Sequence, residues 1–255
     1  MPEPIALDNG DKLTFIGCEI IYREACKLAA ESRLRVDLRF LPKGLHDLER
    51  ADMQSRLQAA VDDVDTDTNR AIILGYARCN DGLSGLTARD VPLVIPKAHD
   101  CITFFFGGRR AYREYFDTHP GTYCRTTGWC ERENPEVEGS QGVMAQLGLD
   151  RGYEELVEQY GKENADYIRE TMGDGLQNYS RICYLRMGVT DETPFVDASR
   201  REAEERGWEF EEREGDWSIL DRLFNGQWDG DDFLVVRPGE RIVPRNDESV
   251  LGTSP

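Results

Sequence analysis

Four short apolar runs frame the first half of the chain. Residues 13–17, 34–41, 71–76 and 92–96 read as strands, and the second alternates strictly, as suits an edge position. Between the first two, Glu19 to Ser32 sets Ile20, Ile21, Ala25, Leu28 and Ala29 on one helical face. Asp47 to Val64 repeats its apolar residues at helical spacing, with Leu48, Met53, Leu57, Ala60, Val61 and Val64. A further helix is expected from Asp100, a good N-cap residue, through Phe104-Phe105-Phe106 towards Phe116. Strand alternating with helix is the rhythm of a parallel sheet. Right-handed crossovers then favour a doubly wound, Rossmann-like sheet with strand order 2-1-3-4 in this half.

The second half is less regular. Strands are expected over Thr122 to Trp129, Tyr179 to Met187, Trp208 to Glu214 and Phe233 to Val236. Helices are expected over Leu149 to Met172, Asp197 to Gly207 and Ile219 to Phe224, and residues 131–142 read as an exposed loop. The expected architecture is therefore α/β, a mostly parallel sheet built as two halves, 1–130 and 131–245, with a flexible polar tail at 246–255.

Charge narrows the partners. With 31 basic and 49 acidic residues the formal net charge is −18, which argues against non-specific binding to nucleic acid or to anionic membrane, since phosphate recognition needs a basic footprint. No apolar run is long enough to span a bilayer, and Met1-Pro2-Glu3-Pro4 lacks the basic start and apolar stretch of a secretory signal. The expected location is the cytoplasm, where the seven cysteines would be reduced thiols.

Ligands of open parallel sheets bind outside the carboxyl ends of the strands. Cys18 follows the first strand, Cys79 the third and Cys101 the fourth, so three thiols from separate segments are expected at one rim. Cys101 would stand in the first turn of its helix, where the dipole favours a thiolate. His99, two positions earlier, can act as ligand or base. Three thiolates, or thiolates with a histidine, suit a catalytic zinc with one open position, or an iron–sulfur cluster with one iron open to substrate. Cysteine is also a common small core residue, so the packing alternative stands beside this one. Cys26 and Cys183 read as core filler, and Cys124 and Cys130 as auxiliary ligands or as accidents of a loop. Glu19 is a second catalytic candidate, with a plain helix-start carboxylate as its alternative, and Tyr22, His46, Asn80 and Arg109 are candidates for substrate contact.

Several patches together resemble one family. Gly17-Cys18-Glu19 with Tyr22-Arg23-Glu24, Gly44-Leu45-His46-Asp47, Gly75-Tyr76 to Cys79 with Gly82, His99-Asp100-Cys101-Ile102 to Gly107, and Pro120-Gly121-Thr122-Tyr123 with Gly128-Trp129 resemble the domain-of-unknown-function 1638 family over roughly residues 13–225. The chain departs from the family pattern at Arg78, Asn80 and Asp81, and at Cys124 and Cys130. The family name supplies no activity. The resemblance implies an association with corrinoid-dependent methyl transfer, and with it a corrinoid as substrate or as the cofactor of a partner protein. Separately, His99-Asp100-Cys101 is similar to the His-x-Cys element of the zinc site in methylcobalamin:thiol methyltransferases, an analogy only, because here the other cysteines precede the motif.

The expected function is a metal-dependent enzyme with zinc on Cys18, Cys79 and Cys101, acting on a small molecule by methyl or alkyl transfer to a thiol or related nucleophile. Two alternatives remain open: an iron–sulfur enzyme of dehydration or redox chemistry on the same cysteines, and a non-catalytic corrinoid- or metal-binding module.

Overall fold

In the computed structural model, residues 5–78, 81–132, 157, 161–162, 178–247 and 249–255 are described. Expectations for most of the loop at 131–142 and for most of the helix over Leu149 to Met172 fall outside these residues, as do Cys79 and Asn80, while Glu131 closes a short helix.

The apolar runs of the first half form one sheet. Strands β1 (Lys12–Cys18), β2 (Arg35–Leu41), β3 (Ala71–Gly75) and β4 (Leu93–Pro96) are joined in the order β2-β1-β3-β4, all parallel. This is the expected order. β8 (Phe233–Val236) adds to β4 as an antiparallel edge. The architecture is thus mixed α/β around a mostly parallel sheet.

Burial follows the sequence pattern. Every residue of β3 and β4 is buried, as central strands without polar residues require, whereas β2 alternates exposed Arg35 and Asp37 with half-buried Val36 and Leu38. Helix α1 (Tyr22–Glu31) turns Ala25 and Leu28 inward, and α2 (Arg50–Asp62) turns Met53, Leu57 and Val61 inward. Each follows a short 3-10 turn: Glu19–Ile21 replaces the first turn of the helix expected from Glu19, and Lys43–Asp47 precedes α2, which runs over Arg50–Asp62 within the helix expected over Asp47 to Val64.

The helix expected from Asp100 to Phe116 is two helices, α3 (Ile102–Phe105) and α4 (Arg109–Thr118). Between them Gly107 and Gly108 take φ of +78° and +136°, values that L side chains rarely adopt. The break lets the Asp216 backbone N–H donate to the Phe105 carbonyl at 2.9 Å, and a Cβ on Gly107 would collide with the Asp216 carboxylate. A tertiary contact therefore overrides the helical pattern.

The strand expected over Thr122 to Trp129 also divides. β5 (Thr122–Arg125) ends where Thr126 caps the short helix α5 (Thr127–Glu131), its hydroxyl accepting from Trp129 N–H at 3.4 Å. β5, β6 (Arg181–Arg186) and β7 (Glu209–Glu214) make a second parallel sheet in the order β5-β6-β7. Helix α6 (Thr193–Arg206) crosses from β6 to β7, and α7 (Ser218–Phe224) precedes β8. The two sheets exchange segments: β5 precedes residue 131 yet pairs in the second sheet, and β8 returns to the first.

Part of the polar tail is in a strand. β9 (Arg241–Pro244) and β10 (Leu251–Ser254) form an antiparallel pair, and Val250 and Leu251 are buried beneath it. These two apolar residues anchor a segment whose composition otherwise reads as disordered.

Candidate active site at the strand ends

A cavity of about 480 Å³ opens where β1, β3 and β4 end. Cys18, the last residue of β1, forms part of its wall, and Gly75, Tyr76 and Ala77 enter it at the end of β3. Asp100 and Cys101 approach from beyond β4, and Thr122, Tyr123 and Cys124 close it from the second sheet. Trp129 of α5 and Lys43 complete the rim, with Tyr112 and Phe116 coming from α4. The lining is mostly apolar and aromatic, with a few polar groups converging on it, the usual character of a small-molecule site.

Packing fixes the floor of this cavity. Gly17 and Gly75 are directly paired across β1 and β3, and a Cβ on either would strike the ring of Phe15. That ring is fully buried, with the Phe224 and Phe40 centroids at 5.0 and 5.8 Å. Gly128 lets α5 lie against the backbone of Ile20, which brings Trp129 and Cys18 to the same opening.

Two of the three expected thiols therefore share one cavity. Cys18 is 8% and Cys101 9% exposed. Cys79 lies outside the described residues; Ala77, two positions earlier, lines the same cavity. Among the described residues, no group of three or more His, Cys, Asp or Glu side chains stands in a metal-holding arrangement. Cys101 caps α3, which is only four residues long, so the dipole behind it is that of a single turn and weaker than the longer helix implied.

Lys43 and Asp100 set the charge. Lys43 is buried, its Nζ 4.3 Å from the centroid of the Trp129 ring. Lys43 and Cys18 line the same cavity, so a buried cation and a buried thiol share it. Asp100 Oδ1 accepts from Thr103 N–H at 3.2 Å, and its Oδ2 from the Tyr112 hydroxyl at 2.9 Å. Burial, with the Asp100 charge in support, pushes the Tyr112 hydroxyl well above the usual range, so it remains a donor.

The other candidates lie elsewhere. His99 is exposed and lines an adjoining cavity of about 740 Å³, with Lys97, Arg109 and Arg113, across Asp100 from the cysteines. Asp100, Tyr112 and Phe116 belong to both cavities. Arg109 donates to the Asp231 carbonyl at 2.7 Å. Burial, then the Arg109 charge, lowers the pKa of Lys97. Glu19 is held structurally: Oε1 accepts from Lys43 N–H at 3.0 Å, and Oε2 lies 3.5 Å from Arg132. Tyr22 is 45% exposed, with its ring against Phe40 at 4.9 Å. His46 belongs to the 3-10 turn after β2, and its side chain lies outside the described residues, as does Asn80.

Sequence reading passed over several participants. Lys43, Tyr76 and Tyr112 line the cavity and are not among the sequence candidates. Cys183, read as core filler, is indeed fully buried. It is also paired in register with Cys124 on the adjacent parallel strand, so the two thiols are neighbours on one face of the sheet. Hydrogen bonds to Cys124 and Tyr115 lower the Cys183 pKa, whereas Cys124, donating to its partner and buried, is pushed far up.

Residues 40–224 match the model of a family described as "Protein of unknown function (DUF1638)". Neither a curated protein nor a solved structure matches the chain significantly. The match covers most of the chain and every cavity-lining residue except Cys18 and Ile20, and with it the chain belongs to the DUF1638 family of proteins of unknown function.

Proposed function

We propose that the cavity at the strand ends is a thiolate metal site, with Cys18, Cys79 and Cys101 as ligands and zinc as the metal. The observation that carries this reading is the convergence of Cys18 and Cys101, from the ends of two different strands, on one aromatic-walled cavity. The donor set fits zinc: soft thiolates in a pocket beside a buried lysine, with room for a fourth ligand. Bound there, zinc would deprotonate a substrate thiol and present it as a nucleophile for methyl or alkyl transfer.

The chain's own residues supply the rest. Trp129, Tyr123 and Tyr112 exclude water and hold an apolar portion of the substrate. Lys43 offsets the charge of anionic sulfurs. Tyr112 orients Asp100 through the 2.9 Å hydrogen bond, leaving that carboxylate at the border of both cavities. His99 is assigned to the adjoining cavity as a proton donor or acceptor for substrate that reaches across Asp100. Family resemblance suggests a corrinoid, carried by a partner protein, as the methyl source. A doubly wound sheet, with its ligand crevice at the strand ends, and a reducing cytoplasm that keeps the thiols available belong to the same proposal.

A second reading is favoured by the cavity's mostly apolar wall: a non-catalytic module that encloses a small molecule, with the thiols as contacts. Elemental analysis and a visible spectrum on anaerobically purified protein separate the readings. About one zinc per chain, lost in Cys18→Ala and Cys101→Ala without loss of the folded circular dichroism signal, supports the zinc site. Iron with sulfide and visible colour selects a cluster on the same cysteines. Metal content unchanged in both variants refutes the site.

A further inference from the structure

We propose that Cys124 and Cys183 form a reactive dithiol that closes reversibly to a disulfide by exchange with a low-molecular-weight disulfide entering through the strand-end cavity. The proposal does not depend on the metal site.

The backbone sets the pair. Cys124 of β5 and Cys183 of β6 are register partners on adjacent parallel strands. Neighbouring strands run about 4.8 Å apart, within the roughly 4.4–6.8 Å over which cysteine Cα atoms can be bridged. Register partners project from the same face of a sheet, which sets the two thiols side by side. Both are reduced.

Access is divided between them. Cys124 is half-buried and lines the cavity, so it is the sulfur an incoming molecule meets. Cys183 is fully buried behind it, placed to resolve but not to start the exchange. The Tyr115 hydroxyl reaches Cys183 and also donates to Glu211 Oε2 at 2.7 Å. Glu211 lies 3.3 Å from Arg181. This row of groups gives a proton a path between the buried sulfur and the outer part of the second sheet.

The exchange balances in two steps. Cys183, the more acidic of the two, takes up the Cys124 proton as Cys124 Sγ attacks one sulfur of the incoming disulfide, whose S–S bond breaks and releases the first small thiol as its thiolate. Cys183 Sγ then attacks Cys124 Sγ, the mixed disulfide breaks, and the second thiol departs with the remaining proton. Two protein thiols are oxidised and one small disulfide is reduced to two thiols.

Glutathione disulfide is the probe. The folded full-length protein, treated with a chelator to remove any bound metal, is equilibrated in buffers of varied reduced-to-oxidised glutathione ratio and analysed by mass spectrometry. The expected result is a Cys124–Cys183 linked peptide that forms with oxidised glutathione and disappears with reduced glutathione. Cys183→Ser is expected to stop at a glutathione adduct on Cys124. The wild-type result stands alone if that variant does not fold. Absence of the link in the folded protein at every ratio, a link from Cys124 to Cys18 or Cys101 instead, or a link formed only after urea unfolding would overturn the proposal.

Discussion

Gly128 stands against the backbone carbonyl of Ile20 so closely that a Cβ at this position would overlap the oxygen. The requirement is for space, and the obstacle is main chain that cannot rotate aside. Through this contact α5 rests on the 3-10 turn that follows Cys18. Gly128→Ala is therefore expected to cost about 2 kcal/mol or more, in the range of overpacked interiors. It is also expected to displace Trp129 from the cavity rim. Urea unfolding monitored by tryptophan fluorescence reads both effects; a midpoint equal to wild type would show that the two segments separate freely.

The floor of the cavity makes a coupled prediction. Gly75 and Gly17 leave room for the Phe15 ring, and the Ile21 Cδ1 atom lies 2.8 Å from where a Gly75 Cβ would be. Gly75→Ala alone is expected to destabilise by about 2 kcal/mol through that crowding. Phe15→Leu alone leaves a void and costs about 1–3 kcal/mol. Combined, the two are expected to cost less than their sum, because the smaller side chain relieves the collision. Denaturant midpoints of the four proteins test this, and strict additivity would place the strain elsewhere.

Much of the first sheet was legible because its strands are local statements. Residues 71–75 are apolar throughout and can only be central, and Arg35, Asp37 and Arg39 mark β2 as an edge. Cys18 and Cys101 were legible as cavity residues for the same reason, since strand ends follow from strands. What escaped depends on partners distant in sequence. The break at Gly107 answers to Asp216, and the pairing of Cys124 with Cys183 spans 59 positions and requires the register of β5 on β6. Lys43 gives no sign in the sequence that it will be buried against Trp129.

Thr127 ties the second sheet to the start of α6. Its hydroxyl donates to Glu192 Oε1 at 2.9 Å and lies 3.0 Å from the Tyr184 hydroxyl, and all three residues are buried. Glu192 Oε1 also accepts from Met187 N–H at 3.1 Å. Thr127→Val keeps the shape and removes the link between Tyr184 and Glu192. The expected loss is about 1–3 kcal/mol, the cost of leaving buried polar groups short of a partner. Thr127→Ser should restore most of it. Thermal unfolding distinguishes the two, and equal loss in both variants would mean that the methyl group matters and the hydroxyl does not.

Glu24 gives the protein a pH dependence of defined sign. Its side chain is 1% exposed, and neither carboxylate oxygen has a hydrogen-bond partner among the described residues. Burial raises its pKa from 4.5 to about 7, with Glu192 and Glu131 adding to the rise and its own backbone amide and Arg23 opposing it. The folded protein thus holds a proton that the unfolded chain releases between pH 4.5 and about 7. Stability from this group is full below pH 4.5, falls as pH rises through the window, and is lost above about 7, where the buried carboxylate is charged. The change across the window is on the order of 3 kcal/mol. Glu24→Gln keeps the shape without the charge, so it is expected to raise stability at pH 8 and to flatten the slope between pH 5 and about 7. Urea unfolding of both proteins at half-unit pH steps measures the difference, and parallel curves would show that Glu24 finds a partner when it ionises.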